Sequence, residues 1–213
     1  LQYMALKTST PLNVTLVGSS MPIFMLGLGR LLYGARISRQ QWWGVALSTA
    51  GVLTVLTRGD WSQLLALKLV AGDVLMLLAT ATWAWYSWLL TKPPANRPDP
   101  PALRNNWSAW LMAQVIPGLM WSALFSGVEW AVVPDLHIHW GWPLAAALAY
   151  VALGPSLLAY FCWGRGVSLA GPQVAGFFVN LTPLFAALLS AAVLGELPKL
   201  YHAAAFALIV GGI

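Results

Sequence analysis

Charge is what this chain has least of. Only 8% of its 213 residues are charged, against about 25% in soluble domains. A soluble protein of this length could not cover its surface with 6 acids and 11 bases. Cysteine is nearly absent: Cys162 stands alone inside an apolar run, which excludes a disulfide framework and leaves small-residue packing as its expected role. There is no Walker loop, Gly-rich dinucleotide turn or H-E-x-x-H, so neither a nucleotide cofactor nor ATP-driven work nor zinc proteolysis is expected. No Ser/His/Asp set falls inside the apolar runs, so nothing points to an enzyme. The pair His137-x-His139 has no Cys or third His beside it and reads as solvated loop histidines, not a metal site. The net charge of +5 is spread singly between apolar runs. It forms no patch for nucleic acid and reads as membrane topology.

What the chain has in abundance is hydrophobicity, at 59% of residues and a mean hydropathy of +0.72. A window of about 19 residues predicts membrane helices near 11–33, 41–57, 71–91, 107–127, 143–165 and 172–194, with another starting near 201. Residues 1–7 read as the tail of an earlier helix. Turn-rich segments separate the spans: Gly34-Ala35-Arg36, Arg58-Gly59-Asp60, Lys92 through Pro101, Pro134-Asp135, Gly171-Pro172 and Gly195 through Pro198. Trp42, Trp43, Trp61, Trp107, Trp110, Trp130, Trp140 and Trp142 fall at predicted helix ends, as an aromatic belt at the lipid interface requires.

Segments 5–52 and 166–213 align without a gap at an offset of 161. Pro11 falls on Pro172, Pro22 on Pro183, Phe24 on Phe185, Gly34 on Gly195, Ala46 on Ala207, Leu47 on Leu208 and Gly51 on Gly212. Agreement of the helix breakers carries the match, because Pro and Gly fix backbone geometry while apolar residues exchange freely. Five predicted crossings separate the start of one copy from the start of the other. An odd number turns the second copy over, which predicts an inverted-topology repeat of five plus five helices. The same offset asks for a partner to the helix at 71 about 90 residues ahead of Leu1. We therefore expect a ten-helix all-α polytopic protein, of which this chain runs from the last part of helix 3 to a truncated helix 10. The expected division is 1–70, closing the first repeat, and 71–213, the second.

Charge placement sets the expected orientation. One side carries Arg30, Arg36, Arg39, Lys92, Arg97, Arg104 and Arg165 with Asp99 as its only acid. The other carries Lys7, Arg58, Lys68 and Lys199 with Asp60, Asp73, Glu129, Asp135 and Glu196. The positive-inside rule makes the first side cytoplasmic.

Three stretches resemble a known family. Ala71-Gly72-Asp73 leading to Trp83-Ala84-Trp85-Tyr86 is similar to the opening helix of an EamA-type repeat. Leu181-Thr182-Pro183-Leu184-Phe185 through Leu194-Gly195-Glu196 resembles its fourth helix, and Gln41-Trp42-Trp43-Gly44 to Ala50-Gly51-Val52 its fifth. EamA proteins belong to the drug/metabolite transporter superfamily, and the resemblance covers essentially the whole chain. It implies ten helices in the bacterial inner membrane and movement of small metabolites, often export of amino acids or related compounds. Ala35 departs from the pattern, standing where the first repeat often has Glu, opposite Glu196. A symmetric acid pair is therefore not expected to be needed.

The expected solute site lies at the paired prolines. Pro22 and Pro183 fall midway along their spans, and a proline there deprives the carbonyls of Gly18 and Val179 of their usual partners. Lipid cannot satisfy such carbonyls, so broken backbone at this depth should face protein or a wet cavity. Ser19 and Asn180 occupy matching positions one turn before each proline and would supply hydrogen bonds. The competing reading is that the prolines only kink their helices while Ser19 and Asn180 bond neighbours. Thr80, Trp83 and Ser87 share a helical face with Tyr86 beside them, and Tyr160 and Trp163 form an i, i+3 pair after the Gly154-Pro155 break. Aromatic faces with a polar edge suit amino acids and amines; ordinary packing accounts equally for any single one. The expected lining is thus Ser19, Pro22, Trp83, Tyr86, Tyr160, Trp163, Asn180 and Pro183. Gly44/Ser48 and Ala187/Ala191 read as packing pairs. No acid falls at midplane, so proton coupling and facilitated diffusion both stay open. Expected partners are a small-molecule solute and the lipid bilayer, with no nucleic acid and no cofactor. The alternatives are a nucleotide-sugar or sugar-phosphate exchanger, which would want basic residues in its cavity, and a non-transporting membrane assembly protein.

Overall fold

A polypeptide in lipid must satisfy its backbone internally, and this one does so by helices. The computed structural model describes residues 1–66, 70–92, 106–132, 138, 140–195 and 199–213, with no strand among them. The long proline-rich linker, Lys68, Asp135, His137, His139 and Glu196 lie outside the described residues. The helices are α1 (Gln2–Ala5), α2 (Pro11–Gly18), α3 (Met21–Tyr33), α4 (Arg39–Leu56), α5 (Ala71–Thr91), α6 (Trp107–Val132), α7 (Trp142–Val151), α8 (Ala159–Ala170), α9 (Pro172–Phe178), α10 (Thr182–Leu194) and α11 (Leu200–Gly211). Five stretches are long and apolar enough to cross a membrane: Asn13–Tyr33, Ala71–Thr91, Ser108–Val132, Trp142–Ala170 and Pro172–Leu194. α4 forms as expected but is not among those five, and α11 is shorter.

Local chemistry sets the helix ends. Ser38 and Gln41 form a capping box on α4: the Gln41 amide donates to Ser38 Oγ at 3.1 Å and the Ser38 amide to Gln41 Oε1 at 2.9 Å. Gly34 and Gly195 close α3 and α10 in the left-handed region, at φ 62° and 72°, where a Cβ is strained. The Gly154-Pro155 break is a π-helical stretch, Ala152–Leu158, joining α7 to α8; the proline's missing N–H fits the wider turn.

Both copies of the repeated segment break at the same place. α2 ends at Gly18, residues Ser19 and Ser20 form a turn, and α3 restarts at Met21 with Pro22 in its first turn. α9 ends at Phe178, Val179–Leu181 tighten into a 3₁₀ turn, and α10 restarts at Thr182 with Pro183 in its first turn. Neither proline sits inside a continuous helix. Each occupies the position where a missing N–H costs nothing. One expectation needs correcting: the Val179 carbonyl is not left open, because it accepts from the Thr182 amide and from Thr182 Oγ1 at 2.7 Å.

The chain divides into two compact units, Leu1–Lys92 with Val167–Ile213, and Pro93–Gly166. In the second unit the large apolar side chains of α6, among them Leu119, Met120, Trp121 and Phe125, are exposed, as is Cys162, which does not take the packing role expected of it. The first unit holds the described core. Leu26, Val45 and Phe177 form one cluster, and Val52, Leu184, Ala205 and Ile209 another. Here α4 and α11, the helices matched by the 161 offset, pack backbone to backbone. A Cβ on Gly212 would stand 2.7 Å from the Gly44 carbonyl oxygen and 2.8 Å from the Ser48 nitrogen, and one on Gly51 would meet Ile209 Cγ1 at 2.6 Å. α3 and α5 are held by Trp88, whose indole N–H donates to the Met25 carbonyl at 2.9 Å, whose ring stacks on Tyr33 at 4.9 Å, and whose edge fills the space a side chain on Gly29 would need.

Gly212→Ala should therefore push two backbones apart and destabilise the protein by about 1–3 kcal/mol. Gly27→Ala, with open space around its new methyl, should be neutral or stabilising. Thermal unfolding of the two variants in detergent checks the contrast.

Candidate functional site

The broken segments determine where polar side chains can stand in an apolar bundle. Asn180 sits in the 3₁₀ turn, 1% exposed. Its Nδ2 crosses to α4 and donates to Ser48 Oγ at 3.1 Å, and its Oδ1 is buried without a partner. An unpartnered buried amide oxygen costs about 1–3 kcal/mol. Ser19, at the matching position, is also buried, but its hydroxyl turns back to the Leu16 carbonyl at 2.7 Å. Pro22 is fully buried, and its Cα lies 3.5 Å from where Gly176 would carry a Cβ. The absence of a side chain at Gly176 is what lets α9 approach α3 so closely. Pro183 is half-buried. Four of the expected residues, Ser19, Pro22, Asn180 and Pro183, thus stand on the two interrupted segments of the first unit.

Trp83 and Tyr86 are half-buried on α5, which packs against both α3 and α9. Their rings lie 5.3 Å apart, tilted by 47°. The hydroxyls of Thr80 and Ser87 are buried and donate to carbonyls of their own helix, Met76 at 2.9 Å and Trp83 at 2.8 Å. Tyr160 and Trp163 stand on α8 in the second unit. Trp88 is the structural tryptophan of α5: it is 3% exposed, with Lys92 Nζ 5.6 Å from its ring centre.

Two features escaped the sequence. Ser48 read as half of a packing pair, yet it is the residue that Asn180 reaches. Asp73, counted only among the acids of one predicted side, is 2% exposed in the first turn of α5. Its carboxylate accepts from Ser9 Oγ, from Asn13 Nδ2 at 3.0 Å and from the Val70 amide at 2.9 Å, tying the start of α2 to the start of α5. Gly72 permits the approach, since a Cβ there would lie 2.5 Å from the Ala5 carbonyl oxygen. The signal was present in outline, as an acid in the third position of a helix is a common cap. Outside the spans, Asp60 accepts from Ser62 Oγ at 2.6 Å and from the Ser62 amide at 3.1 Å. These two bonds hold its carboxyl below the ordinary range.

A cavity of about 270 Å³ opens between α3 and α4, lined by Ile23, Leu26, Gly27, Leu31 and Val45, with Arg30, Ile37 and Trp42 completing the wall. None of the expected site residues lines it. Among the described residues no group of three or more His, Cys, Asp or Glu could hold a metal ion.

The profile of the EamA-like transporter family matches residues 1–57 and 70–213. The chain belongs to the EamA-like transporter family. This EamA-like chain is accordingly a multi-pass membrane protein of a transporter family, not an enzyme. It is 25% identical over 211 residues to YyaM, an uncharacterized transporter of Bacillus subtilis, covering 99% of the chain and 66% of the relative. It is 26% identical over 213 residues to a probable amino-acid metabolite efflux pump of Salmonella typhimurium, covering 99% and 69%. A crystal structure 21% identical to it superposes with a TM-score of 0.69 over 99% of the chain and 68% of that protein, which shows a shared fold. The EamA-like chain spans about two thirds of the length of these proteins.

Asp73→Asn replaces an acceptor of three donors with a group that must turn its own N–H₂ toward one of them. The expected loss is about 1–3 kcal/mol, read as a lower unfolding temperature in detergent. Asp60→Asn, in an exposed turn, should leave that temperature within error.

Proposed function

We propose that the protein is a secondary transporter of the bacterial inner membrane, exporting amino acids or related small metabolites by alternating access. The observation that carries this reading is the pair of helix breaks at Ser19–Ser20 and Val179–Leu181, at matching positions of a repeated segment. Paired interruptions of membrane helices are where secondary transporters build their solute sites.

The repeat is inverted if α4 crosses the membrane. Its 18 residues rise about 27 Å, close to the roughly 30 Å of a hydrocarbon core. The charge asymmetry between the two predicted faces supports the same topology. With α4 counted, the two broken spans run in opposite directions, and each would serve as the gate of one membrane face. Ser19, Pro22, Asn180 and Pro183 then form the midplane part of the site, with Trp83 and Tyr86 as its stacking wall. The bacterial relative named as a probable amino-acid metabolite efflux pump supports the solute class and the direction.

The test is counterflow of a labelled amino-acid panel into liposomes holding the purified protein, with and without a pH gradient. Saturable exchange is expected, and Asn180→Leu should abolish it while size-exclusion and unfolding profiles stay those of the folded protein. A pH response would mark proton coupling, and indifference to pH a facilitator. No flux for any amino acid, with folding confirmed, would sink the amino-acid assignment.

A further inference from the structure

The cavity between α3 and α4 stands apart from the expected solute residues, and its walls run in one direction. Ile23, Gly27 and Leu31 recur every fourth residue along α3, so they lie in one row, and Val45 of α4 stands in the wall with them. The row covers about 12 Å of helix. At Gly27 an added Cβ would meet nothing within 4 Å, so the row is open in its middle. Ile23 is the middle residue of the span Asn13–Tyr33, and the cavity therefore extends from mid-membrane toward one membrane face. Its polar lining is at that face alone: Arg30 in the last turn of α3 and Trp42 near the start of α4. The Arg30 side chain is exposed, and its guanidinium makes no ion pair or hydrogen bond among the described residues. Ile37 also lines the cavity, which puts Arg36 one residue from its wall, and Arg39 follows at the head of α4. No acid occurs in the chain before Asp60.

Apolar walls reject a hydrated solute. Acyl chains already surround membrane helices, so what sets this cavity apart from other lipid-facing surface is the unpaired cation at its interfacial end. A phospholipid has the same order of polarity, phosphate first and hydrocarbon below. We propose that the α3–α4 cavity binds an anionic phospholipid, with its phosphate at Arg30 and one acyl chain lying over Gly27 toward Ile23. Basic residues between membrane helices at the cytoplasmic end are a recurrent setting for anionic headgroups, and the positive-inside rule puts Arg30, Arg36 and Arg39 on that side. The absence of acids selects the headgroup. A zwitterionic lipid would bring its ammonium toward Arg36 and Arg39, with no carboxylate near in sequence to receive it. A phosphatidylglycerol headgroup adds no positive charge. The site requires only the membrane setting and is independent of which solute the protein carries.

The experiment is native mass spectrometry of the purified protein, titrated with phosphatidylglycerol and with phosphatidylethanolamine of the same acyl chains. The first phosphatidylglycerol should bind about tenfold more tightly than the first phosphatidylethanolamine. Arg30→Gln should cut that preference to about twofold or less, while Lys7→Gln, on the opposite predicted side, should leave it in place. Gly27→Leu fills the open middle of the row and should weaken binding of both lipids by about fivefold or more, with the unfolding profile retained. Equal affinity for the two lipids in the unaltered protein would overturn the proposal. So would an equal loss of preference in Arg30→Gln and Lys7→Gln, which would mark a diffuse charge effect and no site. A photoreactive residue in place of Leu31, irradiated in native membranes, names the occupant: an adduct with phospholipid is expected. A crosslink to a second copy, or to another segment of the same chain, would show that protein covers the cavity and would overturn the assignment. Should Gly27→Leu not fold, the crosslink at position 31 and the Arg30→Gln preference decide.

Discussion

Lipid supplies no hydrogen bonds, and this constraint orders nearly every polar contact in the chain. The hydroxyls of Thr54, Thr57, Thr80, Thr82 and Ser87 donate to the carbonyl four residues back, and those of Ser19, Ser20, Thr91 and Thr182 to the carbonyl three back. Each helix absorbs its own polar groups and presents apolar surface. Against that background the bonds that leave a helix carry structural information. Trp88 binds the Met25 carbonyl, Asp73 gathers Ser9 and Asn13, and Asn180 reaches Ser48. Those three ties join α3 to α5, α2 to α5, and the second break to α4.

Close packing follows from the same constraint. Without a hydrophobic drive between helices in lipid, contact area and small residues must do the joining. Gly44, Gly51 and Gly212 allow α4 and α11 to meet at backbone distance, and Gly176 allows α9 to lie on Met25 and Pro22. These glycines have no common loop function; each removes the one atom that would hold two helices apart. The breaks are tolerated because they occur where such neighbours are near, so the turn at Ser19–Ser20 and the 3₁₀ turn at Val179–Leu181 are backed by protein.

What the sequence made legible was its punctuation. Proline and glycine constrain the backbone wherever they occur, so the helix ends at Gly34 and Gly195, the break at Gly154-Pro155 and the interruptions before Pro22 and Pro183 could all be read one residue at a time. Partners could not. Whether Trp85 or Trp88 is the buried tryptophan depends on which face of α5 meets α3, and hydropathy treats the two alike. Ser48 sits in a small-residue pattern that describes how helices pack, not what a hydroxyl among them touches. The Val179 carbonyl was expected to be open because proline removes a donor. The residue just before that proline, Thr182, supplies two others, an effect that proline counting does not include. α4 shows the limit of composition: it folds as a helix within two residues of the expected bounds, yet its polar start, Arg39-Gln40-Gln41, thins its apolar signal.

The two breaks match in backbone but not in side-chain chemistry, and that difference bears on mechanism. Ser19 is short enough to close on Leu16 and so adds no polar demand to its surroundings. Asn180, one atom longer and forked at its end, cannot satisfy both ends of its amide locally; one end is met by Ser48 and the other is left over. The two copies of the break thus differ in the polar demand they place on their surroundings. Motion between two faces needs similar hinges on both halves, since each must open in turn. Selecting a solute needs only one set of donors and acceptors, and a symmetric pair would fit a symmetric solute better than an amino acid, whose ends differ in charge. Under the transport reading, divergence at the Ser19 and Asn180 positions within a retained backbone pattern would give such a carrier hinges on both halves and polar demand on one.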